Sequence, residues 1–197
     1  MSDAQLDTAA ATLIDITAKV TDDMLIRPTP CAGVDVAGLL GHVVGLSQAF
    51  AAAGRKEFGP LTDTPPDPAA YDLPDPWRPA IVGELRALVR AWDDDASWEG
   101  MTRAGGVDAP AQILGTIALS EVVLHGWDLA RAIGAEYEID GAIAKTVFDF
   151  HHPPRPQEER EGMFGPVVDV PEDAPLMDRL AGLAGRDPFW PHGTLEE

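Results

Sequence analysis

A single cysteine, Cys31, cannot close a disulfide within the chain, so no part of the fold can depend on one. That scarcity fits a reducing, cytoplasmic setting. Basic residues are also few: 14 Lys and Arg stand against 33 Asp and Glu, a formal net charge of -19. Nucleic acid and anionic membrane surfaces reward positive charge, so neither is expected as a partner. No apolar run of about 18 residues passes without polar interruption. The opening MSDAQLDTAA has no basic stretch followed by an apolar one, so no secretory signal is read there. A Gly-x-Ser-x-Gly nucleophile elbow is also missing. What the chain does have is 197 residues, 45% of them hydrophobic, enough to fill the core of one domain with an appendage.

Apolar residues recur at helical spacing in four long segments. The first, from Asp3 to about Leu25, carries Leu6, Ala10, Leu13, Val20 and Met24, and Pro28 and Pro30 end it. The second starts at Asp35 as N-cap and runs through Val36, Leu39, Leu40, Val43, Leu46 and Phe50 to about Ala53, with Gly54 as C-cap. Residues 59–79 are rich in proline and aspartate and read as a long crossover. The third helix covers about Pro79 to Asp94. The fourth follows Asp108 as N-cap and ends at Gly134. A shorter fifth helix spans Asp140 to Phe150, a weak strand Met163 to Val170, and a last short helix Pro175 to Leu183. The pattern predicts an all-α four-helix bundle over residues 1–150, with 151–197 as a C-terminal extension packed on it.

The stretch from Ala109 to Trp127 holds one acid, Glu121, and one histidine, His125. Four residues apart on a helix, they share one face, with Leu114, Ile117, Ala118 and Leu124. An ionised carboxylate on a buried face costs several kcal/mol unless it is paired or bound to a metal. His42, between Leu39 and Leu46 on the apolar face of the second helix, is the candidate third ligand. Two histidines and a carboxylate leave coordination positions open, the ligand count of a catalytic zinc site. Nickel, iron or manganese would suit the same donors.

The run Pro28-Thr29-Pro30-Cys31-Ala32-Gly33-Val34-Asp35-Val36, followed by Leu39-Leu40-Gly41-His42-Val43-Val44-Gly45, resembles the opening motif of the mycothiol-dependent maleylpyruvate isomerase family. That family belongs to the DinB-like superfamily of metal-binding four-helix bundles. Glu121 through Ala130 resembles its second motif, and Phe164-Gly165-Pro166 through Gly185-Arg186-Asp187-Pro188 is similar to the tail of its shorter actinobacterial members. The resemblance implies metal ligands at His42, Glu121 and His125, a low-molecular-weight thiol (mycothiol) as co-substrate, and isomerase or S-transferase chemistry on a small electrophile. Two alternatives stay open: a non-catalytic metal-binding or stress-response module, and a metal-dependent hydrolase. A monomer or a homodimer is expected.

Other residues carry expectations of their own. Cys31 reads as a packing or redox-sensitive residue near the site rather than a ligand. Asp128, one turn past His125, either accepts from the imidazole N–H or pairs with Arg131. Trp127 reads as core or pocket wall. His151 and His152 read as a solvated loop rather than a metal tract, and Arg179 and Arg186 as partners of Asp178 and Asp187 rather than as clamps for a carboxylate substrate.

Overall fold

The computed structural model describes residues 3–65, 72–160 and 164–190. Its chain order is α1 (Asp3–Thr17), α2 (Val36–Gly54), α3 (Pro60–Asp63), α4 (Trp77–Ala91), β1 (Met101–Ala104), β2 (Val107–Pro110), α5 (Ala111–Ile133), α6 (Gly141–His151), α7 (Gln157–Arg160) and α8 (Leu176–Leu183). The four long helices form the all-α bundle. α2 packs on α4 and α5, and α1 packs on the same two, so α1 and α2 sit diagonally across the core. Leu6, Leu13, Leu39, Leu40, Leu85, Leu88, Leu119 and Leu124 fill it, each almost wholly buried. α2 and α5 are long and apolar enough, by length and composition, to cross a membrane. In each, 78% of the apolar window is buried inside the bundle, which accounts for its composition.

The helix boundaries follow local chemistry. Asp35 caps α2 by accepting from the Gly38 N–H at 2.8 Å. Gly134 closes α5 at φ 73°, the left-handed cap that glycine adopts without strain. Asp140 caps α6. α1 stops at Thr17, short of the expected Leu25. The Thr21 hydroxyl donates to Asp23 at 2.6 Å, and the chain turns into a 3₁₀ segment, Asp22–Met24, instead of continuing the helix.

The pattern of apolar residues misses a hairpin. β1 and β2 pair antiparallel through Gly105 and Gly106, both at positive φ (59° and 77°), the requirement of a tight two-residue turn. Asp108 is therefore a strand residue and not the N-cap of α5. Its carboxylate takes a bidentate pair from Arg103 at 2.8 and 2.9 Å. In the crossover, Pro60–Asp63 is helical, while part of the 59–79 segment lies outside the described residues. The expected strand at 163–170 is not found: Phe164–Val170 is irregular, and Met163 lies outside the described residues. That segment runs against α8, where the Val168 N–H donates to the Gly182 carbonyl at 3.0 Å. Leu180 of α8 and Ala184, its C-cap, join the bundle's own core.

Candidate metal centre

His42 lies on the buried stripe of α2, one turn after Leu39, with 9% of its surface exposed. α5 runs alongside and presents Glu121 and His125 one turn apart. Glu121 Oε2 lies 2.9 Å from His125 Nε2 and 3.8 Å from His42 Nε2. The two imidazole rings meet edge to face, with centroids 5.0 Å apart. One donor atom from each of the three residues lies within 4.8 Å of the others. Glu121 keeps 24% of its side chain exposed, so the trio is open on one side. Burial alone would raise the Glu121 carboxyl; the adjacent His125 and His42 overcome it and hold the group well below the usual carboxylate range.

These donors suit a divalent cation. Tetrahedral ligands about 2.1 Å from one ion stand about 3.4 Å from each other, and the two separations from Glu121 Oε2, 2.9 and 3.8 Å, lie on either side of that value. The second ring nitrogen of His125 is also committed: Nδ1 lies 3.0 Å from Asp128 Oδ2. A carboxylate on Nδ1 fixes the tautomer that leaves Nε2 as the donor, the arrangement typical of metal-binding histidines. Asp128 is fully buried. Burial would raise its carboxyl, but Arg186 and His125 beside it bring it down to about 2. A second group of donors, Cys31, His125 and Asp128, shares His125 with the first and is tied by its own hydrogen bonds.

The structure brings together more than the triad. The turn Pro28–Asp35, closed by Thr29 N–H to Val34 O at 3.1 Å, carries the Cys31 thiol to 3.0 Å from Asp128 Oδ2. Of the two expectations for Asp128, the imidazole partner is found. Arg131 instead donates to the carbonyls of Pro188 and Trp190. Trp127 is buried, with the Arg131 guanidinium 5.6 Å from its ring. Arg186 reaches into the centre and grips Asp128. Arg179 lies over the Phe148 ring at 4.9 Å.

His151 corrects the solvated-loop reading. His152 is exposed and stacks on Phe148, but His151 ends α6 buried, its Nε2 2.8 Å from the Ser120 hydroxyl. The adjacent prolines make the pair look like loop; only the packing of α6 on α5 distinguishes the two histidines. Burial, with Glu121 opposing and Arg160, Arg186 and Arg155 reinforcing, takes His151 down to about 4 from an ordinary 6.5. The unfolded chain therefore binds a proton that the folded chain refuses between those two values. Metal-free protein should lose up to about 3 kcal/mol as pH falls from 6.5 to 4. Glu121, held below its ordinary value, adds to the loss from about pH 5 downward. His125, which burial would lower but Asp128, Cys31 and Glu121 hold above its ordinary value, acts in the opposite sense above about pH 6. The slope between about pH 6 and about pH 5 therefore belongs to His151. Urea unfolding across that window should show the slope, and His151→Gln should flatten it; an unchanged slope in the variant would place its origin elsewhere.

Two strains of Mycobacterium tuberculosis each encode an uncharacterized protein 27% identical to this chain over 181 residues, 86% of this chain and 88% of theirs. The crystal structure of the mycothiol-dependent maleylpyruvate isomerase matches with a TM-score of 0.57 at 19% identity, covering 74% of this chain and 66% of that enzyme. A histidine-to-alanine mutant of the same isomerase gives 0.57 at 18% with the same coverage. These two crystal structures share the fold. The sequence model of the mycothiol maleylpyruvate isomerase N-terminal domain matches residues 6–130, which span α1 through most of α5 and include His42, Glu121 and His125. The chain belongs to the mycothiol maleylpyruvate isomerase N-terminal domain family.

Proposed function

We propose that this protein is a thiol-dependent enzyme that uses mycothiol as co-substrate and holds a divalent metal, zinc in the first instance, on His42, Glu121 and His125. The observation that carries the reading is the convergence of those three donors from α2 and α5 within a family named for a mycothiol-dependent isomerase. The metal, when bound, would supply a Lewis acid that lowers the pKa of a thiol and so yields thiolate near neutral pH.

The chain's own residues do the rest. Asp128 holds His125 Nδ1–H and keeps Nε2 available. Glu121 stays ionised and serves as a ligand, not as a general base. The buried imidazoles exclude water from the inner side, and the exposed edge of Glu121 marks the side from which a thiol and an electrophile enter. The thiolate adds to an electron-poor alkene carbon, and the double bond becomes a rotatable single bond. Expulsion of the thiolate then restores the alkene in the other geometry, with no net change in atoms or electrons. With a leaving group on the electrophile, the same attack gives S-transfer. The near-complete burial of both histidines also supports a second reading, a metal-binding module without turnover.

The test is an assay of zinc-loaded protein with mycothiol and a panel of electrophiles that includes maleylpyruvate. Turnover is expected only with both metal and thiol. Cys31→Ser should keep most of it, because the attacking sulfur belongs to the co-substrate and serine still donates to Asp128. No turnover across the panel would favour the binding module.

A further inference from the structure

Arg186 lies 58 residues beyond Asp128 and outside the stretch that the family model matches, yet its guanidinium is buried in the centre. Nη2 donates to Asp128 Oδ2 at 3.1 Å and Nε lies 3.3 Å from Oδ1, a two-point grip on one carboxylate. Nη1 donates to the Ala184 carbonyl at 2.9 Å, and Nη2 also lies 3.5 Å from Cys31 Sγ. Each of the three nitrogens has a partner within the protein. The backbone delivers the side chain through a crossing that tolerates only glycine. Gly185 sits at φ 76°, and a Cβ there would stand 2.6 Å from the Gly165 carbonyl.

The consequence follows from the chain of contacts. Asp128 Oδ2 accepts from His125 Nδ1, and His125 Nε2 faces Glu121. A carboxylate held at both oxygens by a planar guanidinium has one orientation. Without Arg186 the remaining partners of Asp128, which are His125 and Cys31, hold Oδ2 alone, and the group can turn about that oxygen. We infer that Arg186 is a positioning residue for the metal centre: it fixes Asp128, and through Asp128 the ring of His125, so that the C-terminal segment completes the site begun by α2 and α5. This inference rests on the metal reading above.

The experiment uses the full chain and zinc alone, with affinity measured by competition against a chromophoric chelator. Arg186→Met should weaken zinc binding 10- to 100-fold, the range typical for loss of the groups that orient a metal-bound histidine. Arg186→Lys, with one donor in place of a fork, should fall between. Asp128→Asn should weaken binding comparably, and adding Arg186→Met to it should weaken binding little further. A purely structural role for Arg186 would instead add to the effect of Asp128→Asn. The cobalt-substituted Arg186→Met protein should also show altered visible bands, reporting a changed ligand geometry. Should Arg186→Met fail to fold, Arg186→Lys and Asp128→Asn carry the comparison. Zinc affinity within threefold of wild type in these variants, with unchanged cobalt bands, would overturn the inference and leave the metal reading standing. A wild-type chain that takes up no zinc would overturn both.

Discussion

His42→Ala should purify without stoichiometric metal, whereas the wild-type chain, loaded with zinc and desalted, should retain close to one ion. Glu121 and His125 sit one turn apart on α5 and offer two donors from a single helix. His42 supplies the third from across the bundle, 3.8 Å from the carboxylate. Two neutral or anionic donors do not fill the coordination a zinc site needs, so affinity should fall by more than the roughly 10- to 100-fold seen when only supporting residues are lost. The fold should survive. His42 is buried but is one side chain of a large core, and its loss should cost about 1–3 kcal/mol in the metal-free protein. Metal analysis alongside far-UV circular dichroism separates the two effects. A folded His42→Ala protein that still carries one zinc per chain would remove His42 from the site.

Trp92→Ala should have the largest effect on stability, about 3–5 kcal/mol, which shows as a lower urea midpoint. Trp92, at the end of α4, is completely buried between α2 and α5. Its indole N–H donates to the Phe50 carbonyl at 2.9 Å, and Trp98 lies against it with ring centroids 4.7 Å apart. Gly54 and Gly115 form its cradle: a Cβ at either would stand 2.8 and 2.9 Å from the Trp92 ring. Truncation leaves a cavity and a buried carbonyl without its donor. A bundle of this size has about 5–15 kcal/mol in all, so the variant should stay folded with a melting temperature some 10 °C lower. Phe50 lies eight residues, about 12 Å along α2, from His42, so zinc affinity should change little once the protein is folded. A loss below about 1 kcal/mol would mean that the core repacks around the gap.

The bundle was legible because its signal is repeated: each long helix shows its apolar stripe several times over. His42, Glu121 and His125 were legible for a related reason, since each puts a polar group where the stripe demands an apolar one. The hairpin was not, because its strands are four residues each and its outer face is exposed, which leaves no alternation to read; the Gly105-Gly106 pair was its one local mark. Arg186 and His151 were unreadable for another reason. Each sits among charged residues and prolines, and its burial is created by contacts distant in sequence, Arg186 with Asp128 and His151 with Ser120. Sequence spacing within one helix found the Asp128–His125 pair. The guanidinium that holds it arrives through tertiary structure alone.

The central claim is that a metal on His42, Glu121 and His125 activates a thiol. Cobalt-substituted wild-type protein titrated with mycothiol, with its visible and near-ultraviolet spectrum recorded across pH, tests it most directly. The account expects a sulfur-to-cobalt charge-transfer band that saturates at one thiol per site, with an apparent thiol pKa near or below 7 in place of about 8.5. The band should be absent in His42→Ala. A cobalt spectrum that ignores the thiol at every pH would contradict the account.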